Sequence, residues 1–188
     1  MATVPNAKFS EEEYLRLERA AEYKSEYHDG EMFAMSGGSA IHARLSASII
    51  AMLHRQMPAG CCVYSSDLRI TIPATRTYTY PDCSVVCGDS QLLDDDNLLN
   101  PVLIAEVLSP STEGYDRGKK FELYRTIESF REYLIVHQDR HHVEHYSKQD
   151  DASWILREHI GADASVAIAR LNARIPLIEL YASAIDIS

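Results

Sequence analysis

The sequence has no long apolar segment and no recognisable export signal. Its longest apolar runs, such as residues 102–105, are far shorter than the roughly 20 residues that a membrane-spanning helix needs. Residues 1–5 do not show the basic and then apolar pattern of a secretion signal. We therefore expect a cytoplasmic protein that does not associate with a membrane.

Cysteine is scarce and is not arranged in metal-binding pairs. The four cysteines, Cys61, Cys62, Cys83 and Cys87, show no C-x-x-C spacing. Without such spacing or an export signal, they are expected to be reduced and mostly buried thiols. Cys83 and Cys87 share one face of a candidate strand with Val85, which predicts that both pack in the core.

Basic residues are also fewer than acidic residues. The chain has 18 Lys and Arg against 28 Asp and Glu, a net charge of −10, whereas binding a polyanion requires cations that neutralise phosphates. Any contact with nucleic acid must therefore use a local basic patch. Residues 116–131 have five basic and three acidic side chains, and residues 39–57 have Arg44 and Arg55 with no acid. On charge alone, solvated helix faces explain both stretches more simply.

What is present is the composition of an ordinary globular domain. Hydrophobic residues make up 46% and charged residues 24% of 188 residues, enough chain to bury a substantial core. No repeat, low-complexity linker or change of composition divides the chain. We therefore predict a single domain over residues 1–188.

Periodicity and turn residues predict an alternation of helices and strands. A capping box at Ser10-Glu11-Glu12-Glu13 opens a short helix, and Asp29-Gly30 predicts a hairpin over residues 27–33. Strand patterns follow a longer helix, and a second helix precedes another hairpin. The longer helix is predicted at about 39–57, strands at 63–72, 80–87 and 102–108, the second helix at 116–127, and the hairpin strands at 132–136 and 143–146.

This order of elements predicts an α/β (α+β) fold. Its core would be a mixed central sheet flanked by helices, in the order helix, three strands, helix, strand, with an added N-terminal helix and hairpin. Residues 154–158 and 175–181 are predicted to form closing strands and a short helix. Residues 161–169 show no pattern that predicts an element.

Three polar residues interrupt apolar patterns where a core would not place them. Asp82 follows Pro81 at the start of a strand, and Glu106 shares the face of Ile104 and Leu108 within a strand that is otherwise apolar. Lys120 has helical spacing to the inward face of the second helix. A buried carboxylate requires a partner or a cation, so we expect these three side chains to converge.

Two interpretations of this convergence remain open on physical grounds. Carboxylate oxygens are the ligands that Mg²⁺ prefers, and a nearby ammonium can orient or deprotonate an attacking water. Alternatively, Glu106 and Lys120 form a buried salt bridge with no chemistry attached.

Several motifs together resemble a known family. Pro81-Asp82, residues 106–112 (EVLSPST), residues 116–120 (DRGKK) with Tyr124, and residues 132–136 (EYLIV) resemble the Uma-two family of restriction-endonuclease-like proteins. This family is within the PD-(D/E)XK nuclease superfamily. The resemblance covers about residues 9–181, and the predicted order of elements is the common core of that superfamily.

The resemblance implies a metal-dependent nuclease. Asp82 and Glu106 would hold Mg²⁺ or Mn²⁺, with the backbone carbonyl of Val107 as a third ligand. The superfamily usually has a lysine two residues after the second acid, where this sequence has Leu108. The resemblance places that lysine in the following helix, as Lys120, with Lys119 as the second choice. The resemblance also implies DNA as the substrate. The acidic charge balance, rather than the resemblance, favours a homodimer whose two basic patches combine over one duplex.

Further site residues follow from the same resemblance. Glu31 and His42 match recurrent positions of the family and, with Tyr124, would support the site, Glu31 as a third carboxylate. Solvent exposure of Glu31 and core packing of His42 are the alternative interpretations. The basic patch offers three candidates for phosphate contact, Arg117, Lys119 and Arg125.

Two other functions remain compatible with the sequence. One is a catalytically idle module that keeps the nuclease fold and binds nucleic acid or protein. The other is a metal-dependent hydrolase of a small phosphate ester.

Other polar features are expected to lack a function. The histidines near the second hairpin would lie on a wet edge, since adjacent strand residues point to opposite faces and cannot meet one zinc ion. Asp67 and Arg69 are predicted to form an exposed cross-strand pair, and residues 94–97 a solvated loop. The histidines concerned are His137, His141, His142 and His145.

Overall fold

The computed structural model describes residues 8–35, 37–109 and 113–184. Its α-helices are α1 Glu11–Ala20, α2 Ala40–Gln56, α3 Glu113–Tyr115, α4 Phe121–Tyr124 and α5 Leu177–Tyr181, with a π-helical turn at Asp116–Lys120. The strands before α3 are β1 Ser25–His28, β2 Glu31–Ala34, β3 Cys61–Ser65, β4 Arg69–Ile72, β5 Thr77–Thr79, β6 Cys83–Cys87, β7 Leu92–Leu93, β8 Asn97–Leu98 and β9 Leu103–Val107. Those after α4 are β10 Glu132–Val136, β11 His142–Lys148, β12 Trp154–Ile160, β13 Ser165–Ile168 and β14 Ala173–Pro176.

The strands form three sheets. The central sheet has the order β12-β11-β10-β9-β6-β3, and β9 and β10 are its parallel pair among otherwise antiparallel neighbours. A second sheet has the order β2-β1-β5-β4-β8-β7, and β13 and β14 form a separate antiparallel pair. The order α2, then β3, β6 and β9, then the helical segment 113–124, then β10 matches the predicted core.

Each face of the central sheet covers its own apolar core. On one face, β6, β9 and β10 pack against α2, α5 and the β13–β14 pair. On the other face, alternate residues of the same strands pack against α4 and against β4 of the second sheet. Leu103, Ala105 and Val107 belong to the first core and Ile104 to the second, as the two-residue period of a strand requires.

Local sequence signals explain where several elements begin. The Ser10 hydroxyl caps α1 by accepting from the Glu13 N–H, and the Ser39 hydroxyl caps α2 by accepting from the His42 N–H. Asp29 and Gly30 both have positive φ, 43° and 98°, which is the conformation that a two-residue β1–β2 turn requires. The predicted hairpin and both helix starts are therefore confirmed.

One predicted strand is wrong as a single element. Residues 63–72 contain β3 and β4, which turn at residues 66–68 and belong to different sheets. The alternation of apolar and polar residues continues through this change of sheet, so the pattern does not reveal the break. The strand predicted at residues 80–87 is confirmed as β6, which begins three residues later, at Cys83.

The second helix is longer at its start and shorter at its end than predicted. It runs through α3, the π-helical turn and α4, from Glu113 to Tyr124, and we call residues 113–124 the site helix. Residues 110–112 of the predicted motif lie outside the described residues, as do residues 1–5. β13, for which no pattern was found, lies within the featureless stretch 161–169.

The cysteine prediction is wrong for one pair. Cys61 and Cys87 form a disulfide between the start of β3 and the end of β6, where the antiparallel register places them opposite each other. Cys62 is an exposed free thiol and Cys83 a buried one. Cys87 is therefore exposed and covalently paired rather than packed in the core.

Arg69 and the acidic loop also differ from the predictions. Arg69 is buried and donates to Asn97 and Tyr80 and, at 2.8 Å, to Asp96, whereas the exposed Asp67 pairs with Lys24. Asp96 also accepts from Arg19 of α1, and Asn97 is fully buried. Part of the stretch 94–97 is thus an ion-pairing element that joins α1 to β4.

In the described part of the chain, no helix has the length and apolar character needed to cross a membrane.

Candidate active site

A cavity of about 820 Å³ opens where the two large sheets and the site helix meet. The end of β9, the residue before β6, the β1–β2 hairpin and the start of α2 all reach it. The residues that line it are Glu26, Phe33, Ala34, Met35, Gly37, Gly38, Ser39, Ile41, His42, Tyr80, Asp82, Glu106, Val107, Ser109, Tyr115, Asp116, Lys120 and Gln138.

Asp82 and Glu106 lie beside each other in this cavity. The antiparallel register of β6 and β9 pairs Cys83 with Ala105, so one further step places Asp82 opposite Glu106. Both residues line the cavity, and the negative charge of Asp82 acts on the Glu106 carboxyl group. The two acids converge although 24 residues separate them in the chain.

Asp82 is held by three donors. Its Oδ2 accepts from the Val107 N–H at 2.8 Å and lies 3.3 Å from Nε2 of His42, while its Oδ1 accepts from the Ser46 hydroxyl at 3.1 Å. The hydrogen bond with Asp82 raises the pKa of His42 above its ordinary value, against the effect of burial, and the Val107 carbonyl also accepts from this ring. His42 and Ser46 are one turn apart on α2, which fixes the orientation of the carboxylate.

Lys120 is buried among three carboxylates. Its Nζ lies 3.1 Å from Glu106 Oε1, 3.1 Å from Glu26 Oε1 and 3.4 Å from Asp116 Oδ1. Burial disfavours the ammonium, yet Glu106, Glu26 and Asp116 together raise the pKa of Lys120 well above its ordinary value. The lysine is therefore a fixed cation.

Glu106 is a buried carboxylate that accepts two hydrogen bonds from the site helix. Its Oε1 accepts from Lys120 and, at 2.8 Å, from the Tyr124 hydroxyl. Burial raises its pKa to about 8, assisted by the negative charges of Asp116, Asp82 and Glu26 and opposed by Lys120. Tyr124 and Lys120 approach the same oxygen because they are one turn apart on the site helix.

The described cavity contains more negative than positive charge. The four carboxylates Glu26, Asp82, Glu106 and Asp116 surround the single ammonium of Lys120. Carboxylate oxygens held rigidly by hydrogen bonds and short of positive charge are the donor set that a hard divalent cation prefers. The charge and donor atoms of these residues are therefore compatible with such an ion.

Comparison with known proteins now identifies the family. The Uma2 family model, described as "Putative restriction endonuclease", matches residues 11–174. The chain belongs to the Uma2 family. This confirms the resemblance found from the sequence motifs.

Relatives and one solved structure agree with this assignment. Two proteins of Synechocystis sp., "Uncharacterized protein slr1290" and "Uncharacterized protein sll1609", are each 38% identical to this Uma2 chain. The first match covers 86% of this chain and 85% of the relative, the second 82% and 89%. The fold is also similar to the crystal structure of "a putative nuclease belonging to DUF820 from Anabaena variabilis ATCC 29413", with a TM-score of 0.74 and 17% identity over 93% of this chain and 98% of that one. Family and fold together support a nuclease.

Glu31 is not the third carboxylate of this Uma2 site. It is exposed, lies next to the turn opposite His28 and is not among the residues that line the cavity. Glu26 is the hairpin carboxylate that lines the cavity. It pairs with Phe33, whereas Glu31 pairs with His28, two residues nearer the turn. Glu26 also accepts from the Tyr80 N–H and the Thr79 hydroxyl, which fixes it against β5.

The three basic candidates for phosphate contact all lie outside the cavity lining. Arg117 is wrong as a free cation, because it donates to Glu144 at 2.7 Å and also pairs with Glu113. Lys119 is exposed and pairs with Glu122 at 3.4 Å, while the exposed Arg125 lies 5.0 Å above the Phe121 ring. The helix turn that points Lys120 inward points Lys119 outward.

The histidines of the second hairpin are not on a wet edge. His137, His142 and His145 are buried, and ligand atoms of His137, His142 and Glu144 lie within 4.8 Å of one another. Arg117 fills this space, since its Nη2 lies 2.9 Å from His137 Nε2 and also bonds to Glu144. The cluster is therefore an ion-pair network beneath the site helix, which sequence reasoning missed because Glu144 was not considered with the histidines.

Proposed function

We propose that the chain is a divalent-metal-dependent endonuclease that hydrolyses phosphodiester bonds in DNA, with residues 1–188 acting as one nuclease domain. The observation that carries this proposal is the buried Glu106 beside Asp82, with Lys120 fixed against it at 3.1 Å. A carboxylate pair and a cation at one end of a cavity are the groups that hydrolysis of a phosphodiester requires.

Asp82 and Glu106 would hold Mg²⁺ or Mn²⁺, and the Val107 carbonyl would be a third ligand. The Val107 N–H donates to Asp82 at 2.8 Å, so the backbone of this residue lies against one of the proposed ligands. A divalent cation bound there supplies Lewis-acid polarisation of the phosphodiester and a more acidic water.

Lys120 would act as a charged group rather than as a base. Because three carboxylates raise its pKa, it keeps its proton near neutral pH and donates it only as hydrogen bonds. In that form it orients the attacking water and offsets the negative charge that develops on the phosphate oxygens. Glu26, Asp116 and Tyr124 hold Lys120 and Glu106 in place and are positioning residues.

The protein would act on DNA as a homodimer. The net charge of −10 opposes the approach of a polyanion to one copy, whereas two copies combine their basic stretches along one substrate. Lys119 and Arg125 are exposed on the site helix and beyond it, where they can contact phosphates outside the cavity.

Metal-dependent nicking of a supercoiled plasmid tests this proposal. We expect turnover with Mg²⁺ or Mn²⁺, none with EDTA, and a loss of about 100-fold or more in Asp82→Asn and in Glu106→Gln. Asp163→Asn, which changes an exposed acid away from the cavity, is the matched control and should leave the rate unchanged. Folded wild-type protein that binds DNA but does not nick it with either metal would favour the idle binding module.

A small phosphate ester remains the other candidate substrate. The cavity volume of about 820 Å³ is large enough for such a molecule. Turnover of a generic phosphodiester without binding or nicking of any DNA would favour that function over an endonuclease.

A further inference from the structure

The mouth of the cavity has an exposed apolar wall. Phe33 is 48% exposed, Met35 36% and Ile41 38%, and all three line the cavity. Phe33 and Met35 come from β2 and the residue after it, and Ile41 from the first turn of α2. Large apolar side chains exposed together next to buried carboxylates suggest a surface that a ligand covers.

Another part of the cavity lining is polar. The Ser39 hydroxyl donates to Gln138 Oε1 at 2.7 Å and so joins the start of α2 to the turn after β10. Gln138 also donates to the Leu108 carbonyl. The cavity thus has one wall suited to a flat apolar surface and another that offers hydrogen-bonding groups.

The described cavity lining is poor in cations. It contains Lys120 and no arginine, and Lys120 is already bound by three carboxylates. Recognition inside this cavity therefore cannot depend on neutralising a row of phosphates, as it does along a duplex. Contact with the bases is the remaining means of recognition, and aromatic side chains provide it by stacking on them.

Backbone features keep the apolar wall open. β2 is an edge strand of the second sheet, so one side of it has no neighbouring strand among the described residues. Gly37 has no atom within 4 Å of a Cβ built on it, and the ring of His42 lies 2.9 Å from a Cβ built on Gly38. A side chain at Gly38 would press on the ring that holds Asp82, so glycine here keeps both the mouth and the site unobstructed.

We propose that Phe33 stacks on an unpaired nucleobase, with Met35 and Ile41 beside it, so that the site takes single-stranded or locally unpaired DNA. This rests on the proposed nuclease function and names the form of its substrate. The base would lie on the apolar wall while its phosphate reaches Asp82, Glu106 and Lys120. A second protein chain is the weaker occupant, because these side chains line a concave cavity that leads to the carboxylates rather than a flat face.

Binding of a short single-stranded DNA that contains 2-aminopurine tests the stacking step. In buffer with EDTA, so that no cleavage occurs, we expect Phe33→Ala to weaken binding by about 5- to 150-fold and to abolish the quenching of 2-aminopurine fluorescence. Phe33→Tyr should bind like wild type. Tyr23→Ala, which removes an aromatic ring that is 66% exposed outside the cavity, is the matched control and should not change binding.

Cleavage assays on the same oligonucleotide and its duplex separate the two proposals. Preference for the single strand that is lost in Phe33→Ala supports the inference. If wild type cleaves DNA and Phe33→Ala cleaves both substrates at the same rates as wild type, the inference is overturned and the nuclease function stands. Phe33-dependent binding and quenching without cleavage in Mg²⁺ or Mn²⁺ supports the stacking surface and contradicts the nuclease function.

Discussion

At the scale of single residues, the protonation state of the buried Lys120 determines which chemistry the site can perform. An isolated charge in a protein interior is costly, and Lys120 is almost fully buried. Three carboxylates within 3.4 Å of its Nζ compensate that cost and leave the lysine protonated. A rigid cation is suited to stabilising charge and unsuited to accepting a proton.

We predict that Lys120→Ala lowers plasmid nicking by about 100- to 1000-fold, the usual cost of removing one electrostatic stabiliser of a transition state. Lys119→Ala is the comparison, since this neighbouring lysine is exposed, pairs with Glu122 and would contact phosphate only outside the cavity, so its loss should be about fivefold at most. Circular dichroism and thermal melting check that both variants fold, because Lys120→Ala removes a cation from among three buried carboxylates. Equal losses in the two variants would contradict the placement of Lys120 in the chemistry.

Part of the candidate site was predictable from its residues. Glu106 in an apolar strand, Asp82 after Pro81 and Lys120 at helical spacing all interrupt apolar patterns, and each lines the cavity. Glu26 gave no such signal, because it alternates normally in a short strand and reaches Lys120 only through pairing of β1 with β5. Contacts that depend on pairing between strands distant in sequence cannot be predicted from the local sequence pattern.

At the scale of elements, the hairpin of β10 and β11 supports the site helix through buried charges. Glu144 accepts from Arg117 and from Tyr146 and lies 3.2 Å from His137, whose ring stacks on that of His142. Arg117 and Lys120 are on different faces of the same helix. The hairpin therefore binds the site helix through Arg117, while Lys120 of the same helix lines the cavity.

This network predicts that acid destabilises the fold. Burial lowers the pKa of His137 from its ordinary value of 6.5, aided by the positive charges of its neighbours and opposed by Glu144; the groups around it are Glu144, His142, Arg140, Arg117 and Asp139. As the pH falls through about 6.5, the unfolded chain takes up a proton that the native state does not, so the free energy of unfolding falls. Burial shifts His28 and His159 in the same direction.

Urea unfolding between pH 7.5 and pH 5 checks this prediction. His137→Gln should show a smaller decrease in stability on acidification than wild type, whatever its stability at pH 7.5. His54→Gln changes an exposed histidine of α2 and should keep the wild-type slope. An unchanged slope in His137→Gln would show that this histidine is not a source of the acid sensitivity.

A second element-scale prediction concerns the disulfide between β3 and β6. Closing a loop of 26 residues restricts the unfolded chain, and loop entropy corresponds to about 3 kcal/mol of stability. Dithiothreitol should lower the free energy of unfolding of wild type by about this amount and leave Cys61→Ser/Cys87→Ser unaffected. Cys62→Ser removes an exposed free thiol and should retain the response. Four titratable thiols in the denatured, unreduced wild type would contradict the pairing.

Elements with local signals were predictable, and their assignment to sheets was not. Hydroxyl caps at Ser10 and Ser39 and the Asp29-Gly30 turn act within a few residues, so each one is readable from the chain. β3 and β4 share one alternating pattern but join different sheets, since partner choice depends on strands distant in sequence. The second sheet is therefore the main feature that the sequence did not reveal.

At the scale of the whole molecule, the site lies at the junction of two sheets. The central sheet supplies Asp82 and Glu106, the second sheet supplies Glu26, and the site helix supplies Lys120 and Asp116. Folding thus gathers four carboxylates around one ammonium in a chain that already has more acidic than basic residues. Burial raises the pKa of Glu106 to about 8, and the negative charges of Asp116, Asp82 and Glu26 act in the same direction.

The same imbalance predicts how metal and pH act together on stability. A carboxyl whose folded pKa is raised stabilises the fold below its unfolded pKa of about 4.5, and this contribution is lost as the pH rises through about 8. A divalent cation would offset that loss, because it favours the ionised carboxylates. At a concentration of about 100 times Kd it adds about 2.7 kcal/mol, or roughly 5–10 °C in Tm for a chain of this size.

Thermal melting at pH 7.5 with Mg²⁺, with Mn²⁺ and with EDTA measures this linkage. We expect the metal-dependent rise in Tm in wild type and in Asp163→Asn, and a smaller rise in Asp82→Asn, which loses an anionic ligand while keeping its size. Asp82→Asn without metal should be no less stable than wild type if repulsion between neighbouring carboxylates outweighs the hydrogen bonds that Asp82 accepts. A metal response in Asp82→Asn equal to that of wild type would remove Asp82 from the ion site, and the Glu106–Lys120 contact would then be a structural salt bridge.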